Sequence, residues 1–224
     1  HALPLPDRTK RAPLIDQTDP MAETLAEVQG QAAFLPQAEL DSDSLRMIRE
    51  ELSAAQQDVT ALPKAPVTLI SFDAHPGNFL VNDDGTAILV DLEKGRYGGA
   101  GFDLAHATLY TSTTWDVATY SEPSREDIAD FYQCWRAALP TALGDSLAPY
   151  LMPMRRLMWL WSITWCAKWR VESGKQLRAA KHEAQDTEDW SAENTSASLI
   201  DHVRGRVDLY LSPDIIQKVR QDWS

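Results

Sequence analysis

Apolar and polar positions follow two different periods along this chain, and the change of period divides it. Residues 1–20 carry four prolines among scattered charges and predict an irregular or extended lead-in. Met21–Leu35 and Asp43–Val59 read as helices. In the second, Leu45, Met47, Ile48, Leu52 and Ala55 form a rough apolar stripe, which Ser42 or Asp43 can cap. Ala61–Pro66 reads as a linker. The period then shortens to that of a strand. Val67–Ile70, Phe79–Val81 and Ala87–Val90 are short β-type runs. Asn82-Asp83-Asp84-Gly85 lies between the last two and predicts a hairpin turn, because glycine accepts a positive φ at no steric cost.

Beyond Asp91 the pattern returns to helix. A glycine-rich segment, Gly95–Gly101, reads as a flexible connection, and a helix is expected from about Phe102. Ser124 with Asp127 fits a capping box opening a helix that holds Tyr132 and Trp135. Leu151–Val171 carries four of the eight tryptophans, and Ser212-Pro213-Asp214 fits a helix start. The acidic stretch 183–198 reads as a loop or frayed connection, and no internal repeat is visible. The pattern as a whole predicts an α+β, mostly helical fold holding one small β element.

Composition narrows the functional classes. At 224 residues and 44% hydrophobic content, the chain suits one sizeable domain or one lobe of a larger protein. Its net charge of −12 disfavours nucleic acid and anionic membrane as partners. The longest strongly apolar stretch, Leu157–Ala167, is eleven residues, too short to span a bilayer. Cys134 and Cys166 lack metal or disulfide spacing and are expected to be buried thiols in a reducing, cytoplasmic setting.

The chemistry concentrates in Leu69–Ala105. Asp73 follows a strand, Asn78 comes five residues later across a His-Pro-Gly turn, and the hairpin returns the chain to Asp91. Two carboxylates and an amide at strand ends form a hard-oxygen set. Such a set suits Mg2+, with one carboxylate left to take a proton from an attacking hydroxyl.

This segment resembles the catalytic core of the aminoglycoside phosphotransferase and choline kinase family, small-molecule kinases with a protein-kinase-like fold. The family's loop runs approximately His-Gly-Asp-x-His-x-x-Asn, then a hairpin, Asp-x-Glu, a glycine-rich stretch and Asp-Leu-Ala. Here stand Asp73-Ala74-His75-Pro76-Gly77-Asn78, Asp91-Leu92-Glu93 and Asp103-Leu104-Ala105. The resemblance implies Asp73 as catalytic base, Asn78 and Asp91 as Mg2+ ligands, and His75, Asn78 and Asp91 at the ATP site. It implies Asp103 as a buried acceptor bracing the loop. The implied reaction moves the γ-phosphoryl group of ATP to a hydroxyl of a small molecule: an aminoglycoside, a choline-like amine, an amino alcohol or a sugar. Two departures touch the loop, Ser71 in place of the family's His and Phe72 in place of its Gly. Before Asp73 the chain has one glycine, Gly30, and no glycine-rich β segment. It is therefore expected to be the C-terminal lobe, with the N-terminal nucleotide-binding lobe missing.

Several residues carry two readings. His75 supports the loop or touches phosphate, and Glu93 approaches the metal or faces solvent. Trp161, Trp165 and Trp169 form a stripe four residues apart, which is core or the wall of an acceptor pocket. As a pocket, Trp161 and Trp165 suit a cationic acceptor. His106, His182 and His202 show no ligand spacing and read as structural or surface residues. The rival functions are a catalytically silent kinase-like binding module and, from another class, a metal-dependent hydrolase.

Overall fold

The computed structural model describes residues 1–180 and 197–223. His182 and the acidic stretch as far as residue 196 lie outside the described residues. The lead-in forms one turn of 3-10 helix at Arg8–Lys10 and a two-residue strand, β1 (Ile15–Asp16). Helices α1 (Pro20–Ala32) and α2 (Ser42–Ala61) follow. Asp19 caps α1 by accepting from Ala22 N–H, and Pro20 supplies the fixed φ favoured in a first turn. The cap of α2 is Asp41, whose side chain accepts from Asp43 N–H at 2.8 Å; the expectation of Ser42 or Asp43 is corrected. Asp41, Ser42 and Asp43 are all chemically competent caps, so the sequence alone does not choose among them.

Two small sheets come next. Strand β2 (Thr68–Ile70) pairs antiparallel with β5 (Arg96–Gly98), and β5 pairs in parallel with β1. Between them, β3 (Phe79–Val81) and β4 (Ala87–Leu89) form an antiparallel hairpin closed by Gly85 at φ +81°. Its apolar side chains do not enter the core: Leu80, Val81 and Ile88 are exposed.

The α-helices that follow among the described residues are α3 (Ala100–Thr108), α4 (Tyr110–Thr113), α5 (Arg125–Ala137), α6 (Thr141–Leu147), α7 (Leu151–Ala180), α8 (Ala197–Tyr210) and α9 (Pro213–Arg220). The capping box of α5 forms as expected, with Ser124 N–H donating to Asp127 Oδ2 at 2.9 Å and Asp127 N–H to Ser124 Oγ at 3.1 Å. Helix α7 is the axis of the core. Met154, Leu157, Met158, Leu160, Ile163 and Ala167 are fully buried and pack against α1, α2 and α3. Cys166 is buried there, but Cys134 is exposed, contrary to expectation. Cys134 stands two residues after buried Tyr132 on α5, which turns it to the opposite side of the helix. No helix among the described residues is long and apolar enough to cross a membrane.

Gly95–Gly101 is not the flexible connection expected. It contains β5 and the start of α3, and residues 96–101 are buried. The glycines there permit close packing. A Cβ on Gly101 would lie 2.9 Å from Met154 Sδ and 3.0 Å from Met154 Cβ. Met154 Cβ is fixed to α7 and cannot swing aside. Gly101→Ala is therefore expected to cost roughly 1–3 kcal/mol by overpacking. Gly30→Ala in α1, where no atom lies within 4 Å of the new Cβ, is expected to add about 0.5–1 kcal/mol. Urea unfolding of the two variants checks the opposite signs.

Candidate functional site

Strand β2 ends at Ile70, and the backbone turns at Ser71 and Phe72. Phe72 sits in the left-handed region at φ +56°, where a side chain is strained and glycine is not. Two features hold it there. The first is Asp103, in the first turn of α3 and buried. It accepts from Ser71 N–H (2.9 Å to Oδ2), Phe72 N–H (2.8 Å to Oδ1) and Ser71 Oγ–H (3.2 Å to Oδ1). The second is the packing of the Phe72 ring. The Arg96 guanidinium lies 3.6 Å from its centroid, with Phe102 and Trp161 edge-on at 5.8 and 5.7 Å. The backbone thus keeps a conformation natural to glycine while carrying a phenylalanine. Ser71 Oγ also accepts from Asp73 N–H at 3.2 Å, tying the turn to the next residue.

His1 completes the surroundings of Asp103. Its Nδ1 accepts from Trp135 Nε1–H at 3.1 Å, which places the imidazole proton on Nε2, 3.1 Å from Asp103 Oδ2. Burial raises the Asp103 carboxyl above its ordinary value, against the opposite pull of the Ser71 and Phe72 N–H groups.

From this anchor the loop closes on itself. The carbonyl of Asp73 accepts from His75 N–H at 2.8 Å and from Asn78 Nδ2–H at 2.9 Å. His75 Nδ1 accepts from Gly77 N–H at 2.8 Å, so the ring caps the turn Pro76–Asn78 and carries its proton on Nε2. Gly77 has no room for a side chain: a Cβ would lie 2.4 Å from His75 Cε1 and 3.3 Å from Asp116 Oδ2. After the hairpin, Val90 N–H donates to Asn78 O at 2.9 Å and brings Asp91 alongside Asn78. Asp91 is exposed, with φ +55°. Among the described residues its carboxylate accepts no hydrogen bond.

The Asp73 side chain is 13% exposed and has two neighbours that the sequence reading missed. Lys94 Nζ lies 2.9 Å from Oδ2, and His106 Nδ1 lies 3.7 Å from Oδ1. His106, expected to be a structural or surface residue, instead faces the loop. The signal was present in the sequence: it stands three residues after Asp103, on the same face of α3. Lys94 follows Asp91 by three residues, across a turn closed by Gly95 N–H on Leu92 O at 2.9 Å. Asp116 was also missed, and no local pattern marks it; only the fold brings it to Gly77.

The other candidates divide. Glu93 is exposed and forms no ion pair among the described residues. Trp161 reaches the loop through Phe72, and its Nε1–H donates to Glu27 Oε2 at 3.1 Å. Trp165 packs edge-on to Trp115 at 5.9 Å. Both are partly buried against the core, and they flank the residues that precede Asp73 and Asp116. His202 bonds the carbonyl of Trp115 at 2.9 Å, which is a structural contact.

Among the described residues, no group of three or more His, Cys, Asp and Glu side chains could hold a metal ion. Asn78 and Asp91 are oxygen donors of the kind a hard divalent cation takes. The Asn78 amide spends its N–H on Asp73 O and keeps its oxygen for coordination, and the Asp91 carboxylate is open. Mg2+ is commonly held by one or two such groups together with substrate phosphates.

A family profile described as "Phosphotransferase enzyme family" matches residues 1–149. No curated protein sequence matches the chain.

Two outcomes follow from the geometry. Asp103→Ala leaves two inward-facing N–H groups without an acceptor and is expected to cost about 2–4 kcal/mol in urea unfolding. Burial pushes His106 down to about 4, against the opposite pull of Asp73. The unfolded ring takes up a proton near its ordinary value of 6.5, which the folded ring refuses. This contribution to stability is therefore complete above that pH and is lost as the pH falls toward 4. Between pH 7 and pH 4 it amounts to roughly 1–3 kcal/mol, and His106→Gln should remove that part of the pH slope. Urea unfolding across the range measures it.

Proposed function

The chain belongs to the phosphotransferase enzyme family, and from that premise we propose that it serves an ATP- and Mg2+-dependent transfer of the γ-phosphoryl group to a hydroxyl of a small molecule. The observation that carries the reading is the braced turn after β2. It joins Asn78 to the backbone carbonyl of Asp73 and returns the chain to Asp91. In this reading the chain is the catalytic-loop lobe of a protein-kinase-like fold, with a nucleotide-binding lobe completing the donor side.

The chemistry divides among named groups. Asp73 orients the acceptor hydroxyl and takes its proton as the oxygen attacks phosphorus. Asn78 and Asp91 would hold Mg2+, which when bound neutralises charge on the phosphate oxygens. His75, its Nδ1 committed to Gly77, offers Nε2–H toward the phosphates. Asp103 fixes the loop from beneath and touches no substrate. For the acceptor, a cationic small molecule has the best support. Asp116 places a carboxylate against Gly77, Trp161 and Trp165 supply aromatic surface nearby, and the chain carries a net charge of −12. We place the reaction in the cytoplasm, where a free, buried Cys166 stays reduced.

Asp73→Asn tests the reading. In the protein carrying both lobes, with ATP, Mg2+ and a panel of kanamycin, choline, ethanolamine and glucose, turnover should fall by about 10²–10⁴-fold while ATP affinity stays within a few-fold. Unchanged turnover would remove Asp73 from the chemistry. Phosphate release without dependence on any acceptor would favour the hydrolase. Absence of Mg2+-dependent nucleotide binding in the wild-type protein carrying both lobes would favour the silent module.

A further inference from the structure

We propose that Lys94 is a further catalytic residue: its ammonium covers Asp73 in the free protein and turns onto the transferring phosphoryl group when the substrates bind. The inference rests on the kinase reading above and assigns that site a cation which the motif does not contain. Among the described residues, Lys94 is the only ammonium or guanidinium within hydrogen-bonding distance of Asp73, at 2.9 Å.

The two oxygens of Asp73 are not equivalent. Oδ1 faces inward, toward the His106 ring, at 3.7 Å. Oδ2 meets the Lys94 ammonium, whose side chain is 42% exposed against 13% for Asp73. An acceptor hydroxyl arriving from solvent therefore meets the oxygen that Lys94 covers. For Asp73 to take the hydroxyl proton, the ammonium has to move.

The anchoring of Lys94 lets the ammonium move while its backbone stays in place. On its C-terminal side stands β5, the central strand of its sheet, and the tight Leu92–Gly95 turn holds the pivot. A Cβ on Gly95 would lie 2.9 Å from Leu92 O, so that turn has little slack. Beyond the pivot, four methylenes carry a charge that needs an anionic partner once it leaves Asp73. The γ-phosphate of a nucleoside triphosphate, delivered next to the attacked hydroxyl, is that partner.

The transfer balances without any further reagent. The acceptor oxygen forms a bond to the γ-phosphorus, and its proton passes to Asp73. The bond from phosphorus to the β,γ-bridging oxygen breaks, and its electron pair leaves on the nucleoside diphosphate. Lys94 keeps its three protons throughout and stabilises negative charge on the phosphoryl oxygens.

The test compares Lys94→Met, Lys94→Arg and Asp73→Asn with the wild type, each in the protein carrying both lobes. ATP consumption is read with the acceptor panel above, and also without acceptor, where water takes the place of the hydroxyl. Lys94→Met should lower kcat roughly 10²-fold by either route, with the KM of any acceptor used little changed and the melting temperature unmoved. Lys94→Arg, which keeps the charge, should recover part of the rate. If Lys94→Met turns over at the wild-type rate or faster, Lys94 is only a cover on the base and the proposal falls, while the kinase reading stands. If Asp73→Asn keeps wild-type turnover, or the wild-type protein carrying both lobes consumes no ATP by either route, the kinase reading falls and takes this proposal with it.

Discussion

Everything at the candidate site hangs from one buried carboxylate gripping two consecutive backbone N–H groups. Asp103 takes the N–H of Ser71 and of Phe72, and so fixes the chain where β2 ends. Without that grip, a phenylalanine at φ +56° would relax toward the negative φ that its side chain prefers. Asp73 comes directly afterwards, so its direction is set by the strained residue before it. Asn78 bonds the Asp73 carbonyl, and Val90 bonds Asn78, so the position of Asp91 also descends from the same grip.

The carboxylate can do this only because its helix is itself immobile. Helix α3 starts directly after β5, and β5 lies between β1 and β2. The glycines at this junction let α3 approach α7 closely at Met154. Helix α7 in turn presents buried side chains to α1, α2 and α3. The long apolar helix supplies rigidity, the small sheet supplies direction, and the loop inherits both. The hairpin lies at the other extreme, with exposed apolar side chains and few neighbours. Such an element moves more easily than the core.

The sequence disclosed the parts whose signals are local. Short apolar runs around Asp-Gly read correctly as a hairpin, and Ser124 with Asp127 read correctly as a capping box, because each depends on residues a few positions apart. The glycines of 95–101 were misread. Glycine marks flexibility and close packing alike, and only the position of Met154 separates the two. Cys134 was misplaced because an apolar neighbourhood does not say which face of α5 a residue occupies. Around Asp73, the motif residues were legible, but Lys94 and Asp116 were not. Lys94 reaches Asp73 across twenty-one positions, and Asp116 meets Gly77 only through the packing of the helical body. His106 could have been found from its helical phase with Asp103.

Amide hydrogen exchange at Ser71 and Phe72 tests the grip most directly. Both N–H groups are bonded to a buried acceptor, so they should exchange as slowly as the amides of α3 that pack on α7. Exchange as fast as that of the exposed hairpin turn Asn82–Gly85 would mean that Asp103 does not hold the loop. The placement of Asp73, Asn78 and Asp91 would then need another cause.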